Sequence, residues 1–330
     1  MPIKIPKEAI SRACELIRSA PFTEFLKPQT DRCAFICAWL KKYGIPHTAV
    51  DLAGKRHIIV RYGAEFYDPA FTGKTLAVHY DREKNTQGAN DNSAACFQMM
   101  LFAKYLLKEK TAHNITIIFT DGEEAGSRGI AEQGAYSLGF GLKKLKKDTD
   151  DIFVFDMCGA GDTLILSRSG IAGREKGRIG ELDALHKRAA AYADKSCPGR
   201  WLSMLTPYSD NAGFIAAGLY AQVITVLPRA EAEVLLHNLP KSEINMLQLC
   251  SPHQAKPVTA VQDLIDHIIK NKKCAPHSPL KKIIPRTWQY MHTACDTVET
   301  LTPEAFIITG TYLRGLIRAE IPACRNGRGG

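Results

Sequence analysis

Three apolar runs in this chain end in acid or imidazole, and that pattern constrains its fold more than any other feature. Leu76-Ala77-Val78 leads into His79 and Asp81. Ile115-Thr116-Ile117-Ile118-Phe119-Thr120 leads into Asp121, Glu123 and Glu124, and Ile152-Phe153-Val154-Phe155 leads into Asp156. Short, β-branched and aromatic-rich apolar runs read as strands buried on both faces, the type found in parallel sheets covered by helices. In open α/β sheets ligands gather beyond the carboxyl ends of the strands, so one crevice would collect these acids. A desolvated carboxylate is costly without a counter-ion, and a divalent metal is the obvious one for so many.

The rest of the chain fits that frame. Helical spacing of apolar residues predicts helices over 8–19 and 31–43, the second ended by Gly44 and Pro46. Strands are predicted at 57–62, 75–80, 115–120, 152–155, 163–167 and 222–227. Helices are predicted at 93–108, 131–138, 181–193, 212–217, 258–269 and 303–318, with a long Lys- and Pro-rich loop at 271–287. The expected fold is a single α/β domain with a mixed, largely parallel central sheet and helices on both faces. Residues 1–70 are expected to form a helical and strand-containing segment packed on the main unit, 71–330.

Composition narrows the partners. With 330 residues, 45% hydrophobic and 23% charged, the chain has material for a sizeable core. No apolar run approaches the roughly 20 residues of a membrane span, and the first residues lack a secretory pattern. A cytoplasmic protein with no membrane partner is therefore expected, its ten cysteines reduced. The net charge of +9 sits largely in Lys143-Lys144-Leu145-Lys146-Lys147, Lys270 to Lys273, Lys281-Lys282 and the tail from Arg325. A nucleic-acid groove interleaves such residues with aromatics. These runs do not, so they read as solvated faces and no nucleic-acid partner is expected. Oligomeric state is not legible.

Taken singly, each polar residue of the pattern has an ordinary explanation. His79 could be a satisfied core histidine, Asp91 a helix cap before Ser93, and Glu123-Glu124 a solvated turn. Asp156 and His292 could be loop residues. Their joint order favours another explanation. His79-Tyr80-Asp81, Gly88-Ala89-Asn90-Asp91, Glu123-Glu124, Asp156-Met157-Cys158-Gly159 and His292-Thr293-Ala294-Cys295-Asp296-Thr297 together resemble the co-catalytic zinc aminopeptidases. That family includes bacterial leucyl aminopeptidases and glutamate carboxypeptidases, with glutaminyl cyclases as distant relatives. The resemblance runs from about residue 75 to the C-terminus.

The resemblance implies two divalent ions, zinc for this donor set, with His79 and Asp156 on one, Glu124 and His292 on the other, and Asp91 bridging. Such a pair shares a water and lowers its pKa. Glu123 is then the general base, and Asp81 holds the other nitrogen of His79. The Asp91-Asn92 bond is expected to be cis. Tyr208-Ser209-Asp210-Asn211 departs from the family's Ser-Asp-His, so an imidazole is missing there. Tyr208 is a candidate for stabilising the tetrahedral intermediate, with Thr206 as the other nearby hydroxyl and a packing role for Tyr208 equally open. The activity implied is a cytoplasmic two-zinc exopeptidase, an aminopeptidase acting on short peptides. A glutaminyl cyclase-like acyltransferase, a specialised amidohydrolase on another small amide, and a non-catalytic binding protein of the same fold are the alternatives. The eight other histidines match no motif.

Overall fold

The computed structural model describes residues 5–171, 176–239, 260–270, 272–275 and 277–317. Eight strands form one sheet in the order β1-β2-β4-β3-β5-β8-β6-β7. They are β1 (His47–Leu52), β2 (Lys55–Val60), β3 (Lys74–His79), β4 (Ile115–Thr120), β5 (Asp151–Phe155), β6 (Thr163–Ser167), β7 (Trp201–Met204) and β8 (Ala221–Leu227). The central four, β4-β3-β5-β8, are mutually parallel, while β2 and β6 run antiparallel to their central neighbours. The sheet is thus mixed with a parallel centre, as the apolar runs imply.

Every residue of β3, β4, β5 and β8 is buried. Alternation divides them between two faces. Leu76, Val78, Ile117, Phe119, Phe153 and Phe155 join the larger core, while Ala77, Ile118, Ile152 and Val154 join the smaller one behind the sheet. The larger core is closed by α1 (Lys7–Ile17), α2 (Ala20–Leu26), α3 (Arg32–Lys42), α4 (Ala94–Glu109), α6 (Lys176–Ser196) and α11 (Pro303–Ile317). The opposite face is covered by α5 (Gly134–Lys144) and α7 (Asn211–Ala216). A third cluster, at the β6-β7 side, packs α8 (Arg229–Asn238), α9 (Ala260–Ile269) and the short α10 (Arg286–Gln289). Each fully buried Leu, Ile or Phe contributes about 1.5–3 kcal/mol, so these layers hold the strand ends rigidly.

The N-terminal stretch enters the same sheet. β1 and β2 form a hairpin across Ala53-Gly54, both with positive φ (50° and 74°), the backbone a tight two-residue hairpin turn requires. β2 then pairs with β4, placing Ile58 opposite Phe119. Within the expected loop 271–287 the chain forms a 3-10 turn at Pro279–Lys282, and α10 begins at its end. The helix predicted at 131–138 starts at Gly134 and runs to Lys144. Positions 258, 259 and 318 of the two late predicted helices lie outside the described residues.

Candidate metal centre

Five segments converge at the carboxyl end of the parallel strands. His79 is the last residue of β3, Glu123 and Glu124 follow β4, and Asp156 follows β5. Asp91 comes from the turn before α4, and His292 from the loop between α10 and α11. His79 Nε2 lies 3.3 Å from Asp91 Oδ1 and 3.5 Å from Asp156 Oδ1. His292 Nε2 lies 3.2 Å from Asp91 Oδ2 and 2.9 Å from Glu124 Oε2. The two oxygens of Asp91 therefore face two different sets of one imidazole and one carboxylate. The ligand atoms within each set lie within 4.8 Å of one another.

The turn that presents Asp91 is held from several sides. The two oxygens of Asp296 accept from the amides of Asn90 (2.7 Å) and Asp91 (3.0 Å). Asn90 Oδ1 accepts from the Gly159 amide, and Asn92 donates to the Phe155 carbonyl while accepting from the Met157 amide. Asp91 is thereby tied to the end of β5, which carries Asp156. Gly88, with φ 59°, begins the turn; a Cβ there would sit 2.7 Å from the Asp91 carbonyl oxygen. The Asp91-Asn92 bond is cis, as expected. Met157 and His292 take left-handed backbone (φ 51° and 56°), a conformation costing residues with a Cβ about 1–2 kcal/mol.

Asp81 has a wider part than the sequence implied. Its Oδ1 lies 3.5 Å from His79 Nδ1, the nitrogen pointing away from the cluster. Both its oxygens also accept backbone amides, from Glu123 and from Glu124, each at 3.1 Å. One carboxylate so orients the imidazole and pins the Glu-Glu turn.

The electrostatics show a site short of positive charge. Burial raises Glu123 well above its ordinary value; His79 opposes this, while Glu124, Asp210 and Asp156 reinforce it. Burial and Asp91 raise Glu124. Burial would lower His79 and His292, yet Asp156, Asp81 and Asp91 hold His79 well above the ordinary histidine range, and Asp91 and Glu124 push His292 up to about 11. Asp91, against the pull of burial, is held far below the carboxylate range by His292 and His79. On the side facing the cluster, His79 Nε2, Glu124 Oε1 and Asp156 Oδ1 are buried without a hydrogen-bond partner. Imidazole nitrogen and carboxylate oxygen left unpaired at this spacing suit one or two divalent cations, zinc among them.

Two residues at the site were not singled out by sequence reasoning. Gln133, just before α5, donates to Glu123 Oε1 (3.1 Å). Asp210, fully buried, accepts from the Thr120 hydroxyl, and burial pushes it up to about 7. Asp210 stood in the Tyr208-Ser209-Asp210-Asn211 element, so its signal was present; Gln133 had none. The Tyr208 hydroxyl donates to the Ser169 carbonyl (3.1 Å), and Thr206 bonds Ser167 and Ser169. Neither belongs to the two imidazole-carboxylate sets.

The Legionella pneumophila LapA aminopeptidase superposes with a TM-score of 0.58 at 15% identity, over 95% of this chain and 74% of that one. A glutaminyl cyclase from an Acidobacteriales bacterium gives 0.55 at 17% identity, over 96% and 95%. That of Porphyromonas gingivalis gives 0.50 at 19%, over 93% and 96%. At these identities the likeness is one of fold. No curated protein matches the chain in sequence. The profile of Peptidase family M28 matches residues 73–317, from β3 to the end of α11 and so across every residue of the metal cluster, and the chain belongs to that family.

Proposed function

We propose that this chain is a two-zinc metallo-exopeptidase, an aminopeptidase that removes N-terminal residues from short peptides. The observation that carries the reading is the division of Asp91, one oxygen toward His79 and Asp156 and the other toward His292 and Glu124. His79, Asp91 and Asp156 would hold one ion, and Asp91, Glu124 and His292 the other. When bound, such a pair acidifies a shared water and polarises the scissile carbonyl.

The protein's own groups do the proton work. Glu123 receives the proton of the attacking water on its carboxylate and returns it to the departing amine. Gln133 holds Oε1 of that carboxylate, which leaves Oε2 for the transfer. Burial raises the proton affinity of the Glu123 carboxylate, which favours its taking the proton of the water. Asp81 fixes the ring of His79 through Nδ1 and keeps Nε2 turned toward the centre.

A glutaminyl cyclase-like reading has one observation in its favour. In the element where Asn211 stands in place of the family's imidazole, the fully buried Asp210 adds a second carboxyl beside Glu123. Two such groups can pass a proton from an attacking α-amine to departing ammonia, as cyclisation of an N-terminal glutamine requires.

The test is a panel of aminoacyl chromogenic substrates, blocked peptides and an N-terminal glutaminyl peptide, with zinc-loaded protein beside Glu123→Gln. We expect cleavage of free-amine substrates alone, reduced about 10²–10⁴-fold in Glu123→Gln with metal content unchanged. Ammonia release from the glutaminyl peptide without peptide-bond cleavage moves the assignment to the cyclase. Silence with two equivalents of zinc bound moves it to a specialised amidohydrolase, and absence of bound metal overturns the centre itself.

A further inference from the structure

Arg32, the first residue of α3, lies outside the family match and in the stretch for which the sequence offered no role. Its side chain is 6% exposed, with the guanidinium carbon 4.9 Å from the centre of the buried Phe25 ring. A buried guanidinium is costly unless its donors are used. Here both Nη groups are spent on one short piece of chain, and Nε alone is left without a partner. Nη1 donates to the carbonyls of Tyr80 (3.0 Å) and Asp81 (3.4 Å). Nη2 donates to the Gln87 carbonyl (3.3 Å) and the Ser93 hydroxyl (2.6 Å). The Ser93 hydroxyl in turn donates to the Gly88 carbonyl.

These partners bracket residues 80–93. The near end continues from His79 and carries Asp81; the far end carries Asp91. A planar fork stacked on an aromatic ring has fixed geometry, so its two arms set the spacing between the end of β3 and the start of α4. Arg82 works alongside, donating to the Leu26 and Lys27 carbonyls at the end of α2 and to the same Gln87 carbonyl. We infer that Arg32 is a positioning residue for the metal centre, its guanidinium fixing Asp91 relative to His79 and making the N-terminal helices part of the site's support. This rests on the two-metal reading above.

The test uses the full chain and compares Arg32→Lys with Arg188→Lys. Arg188 also makes a fork, partly exposed, on the buried Asp151 (2.8 and 2.7 Å), at the opposite end of β5 from Asp156. Zinc affinity is measured by chelator competition, and the melting temperature without metal. Lysine keeps the charge of Arg32 but cannot reach both arms, so zinc affinity should fall about 10–100-fold, the usual cost of losing support behind a ligand. Arg188→Lys should lower the metal-free melting temperature and leave zinc affinity at the wild-type value. Ser93→Ala removes one acceptor of the fork, should show a smaller loss of the same sign, and decides the matter if Arg32→Lys does not fold. Wild-type zinc affinity in the deciding variant overturns this inference alone. A wild-type protein that binds no zinc overturns the two-metal reading and this inference with it.

Discussion

Four histidines of this protein are pushed in opposite directions by what surrounds them. His79 and His292 face carboxylates and are held protonated in the absence of metal. His57 and His113 are buried without such partners, and burial lowers both to about 4. Their Nδ1 atoms accept from the amides of Asp121 and Ile115, which fixes the neutral form with its proton on Nε2. Between pH 6.5 and 4 the unfolded chain therefore takes up protons at these positions that the folded chain refuses. Stability contributed by the neutral rings is present above pH 6.5 and lost as pH falls through this window. For His57 the loss is about 2 kcal/mol by pH 5. Asparagine can replace the accepting Nδ1 with its side-chain oxygen, so His57→Asn/His113→Asn should lose less stability than wild type between pH 7 and 5. Urea midpoints at the two pH values check this; equal losses would show that the rings are not the source.

At the level of elements, one motif glycine explains itself through packing. A Cβ on Gly159 would meet the Ala94 Cβ at 2.5 Å, Leu301 at 2.7 Å and Asn90 Oδ1 at 3.0 Å. The first and last of these belong to the turn and helix that present Asp91. Gly159→Ala should therefore cost about 1–3 kcal/mol and also weaken zinc binding, because the displaced Asn90 adjoins Asp91. Calorimetry with chelator competition checks both; a stability loss with unchanged zinc affinity would limit Gly159 to packing. Glycine's place in this motif was visible in the sequence, but the reason for it was not. The same holds more widely. β4 and β6 match their predicted bounds, because an unbroken apolar run in a doubly covered sheet carries its own signal. β1 is only partly buried and carries polar residues at His47, Thr48 and Asp51 without a strand's alternation, and β7 has four residues at the sheet edge, so neither announces itself. α2 buries Phe22, Phe25 and Leu26 at helical spacing, but its seven residues are too few for the period to stand out in the sequence. At the site, residues that follow apolar strands were legible. Arg32 and Gln133 were not, since their meaning comes only from what folding brings beside them.

At the scale of the whole molecule, the centre joins parts of the fold that are far apart in sequence. β3, β4 and β5 each deliver an acid or imidazole, the turn before α4 adds Asp91, and the loop before α11 adds His292. Without metal, Glu123, Glu124 and Asp210 all have pKa values raised by loss of solvent, with Glu124 and Asp210 adding to the rise at Glu123, Asp91 to that at Glu124, and Asp81 and Asp156 to that at Asp210. A cation bound at the centre favours the folded state because the unfolded chain offers no such arrangement. At a free zinc concentration 100 times the dissociation constant, each site should add about 2.7 kcal/mol. In a chain of this size that is several degrees in melting temperature, at about 2–4 °C per kcal/mol. Scanning calorimetry should show the rise on adding zinc and its reversal by chelator. Glu123→Gln should keep the whole shift, since Glu123 is assigned to the water and not to a metal. Asp91→Asn should lose most of it, because in the two-metal reading proposed above both ions would depend on that one carboxylate. An Asp91→Asn protein that zinc stabilises as much as wild type would remove the bridge, and with it the basis for counting two ions.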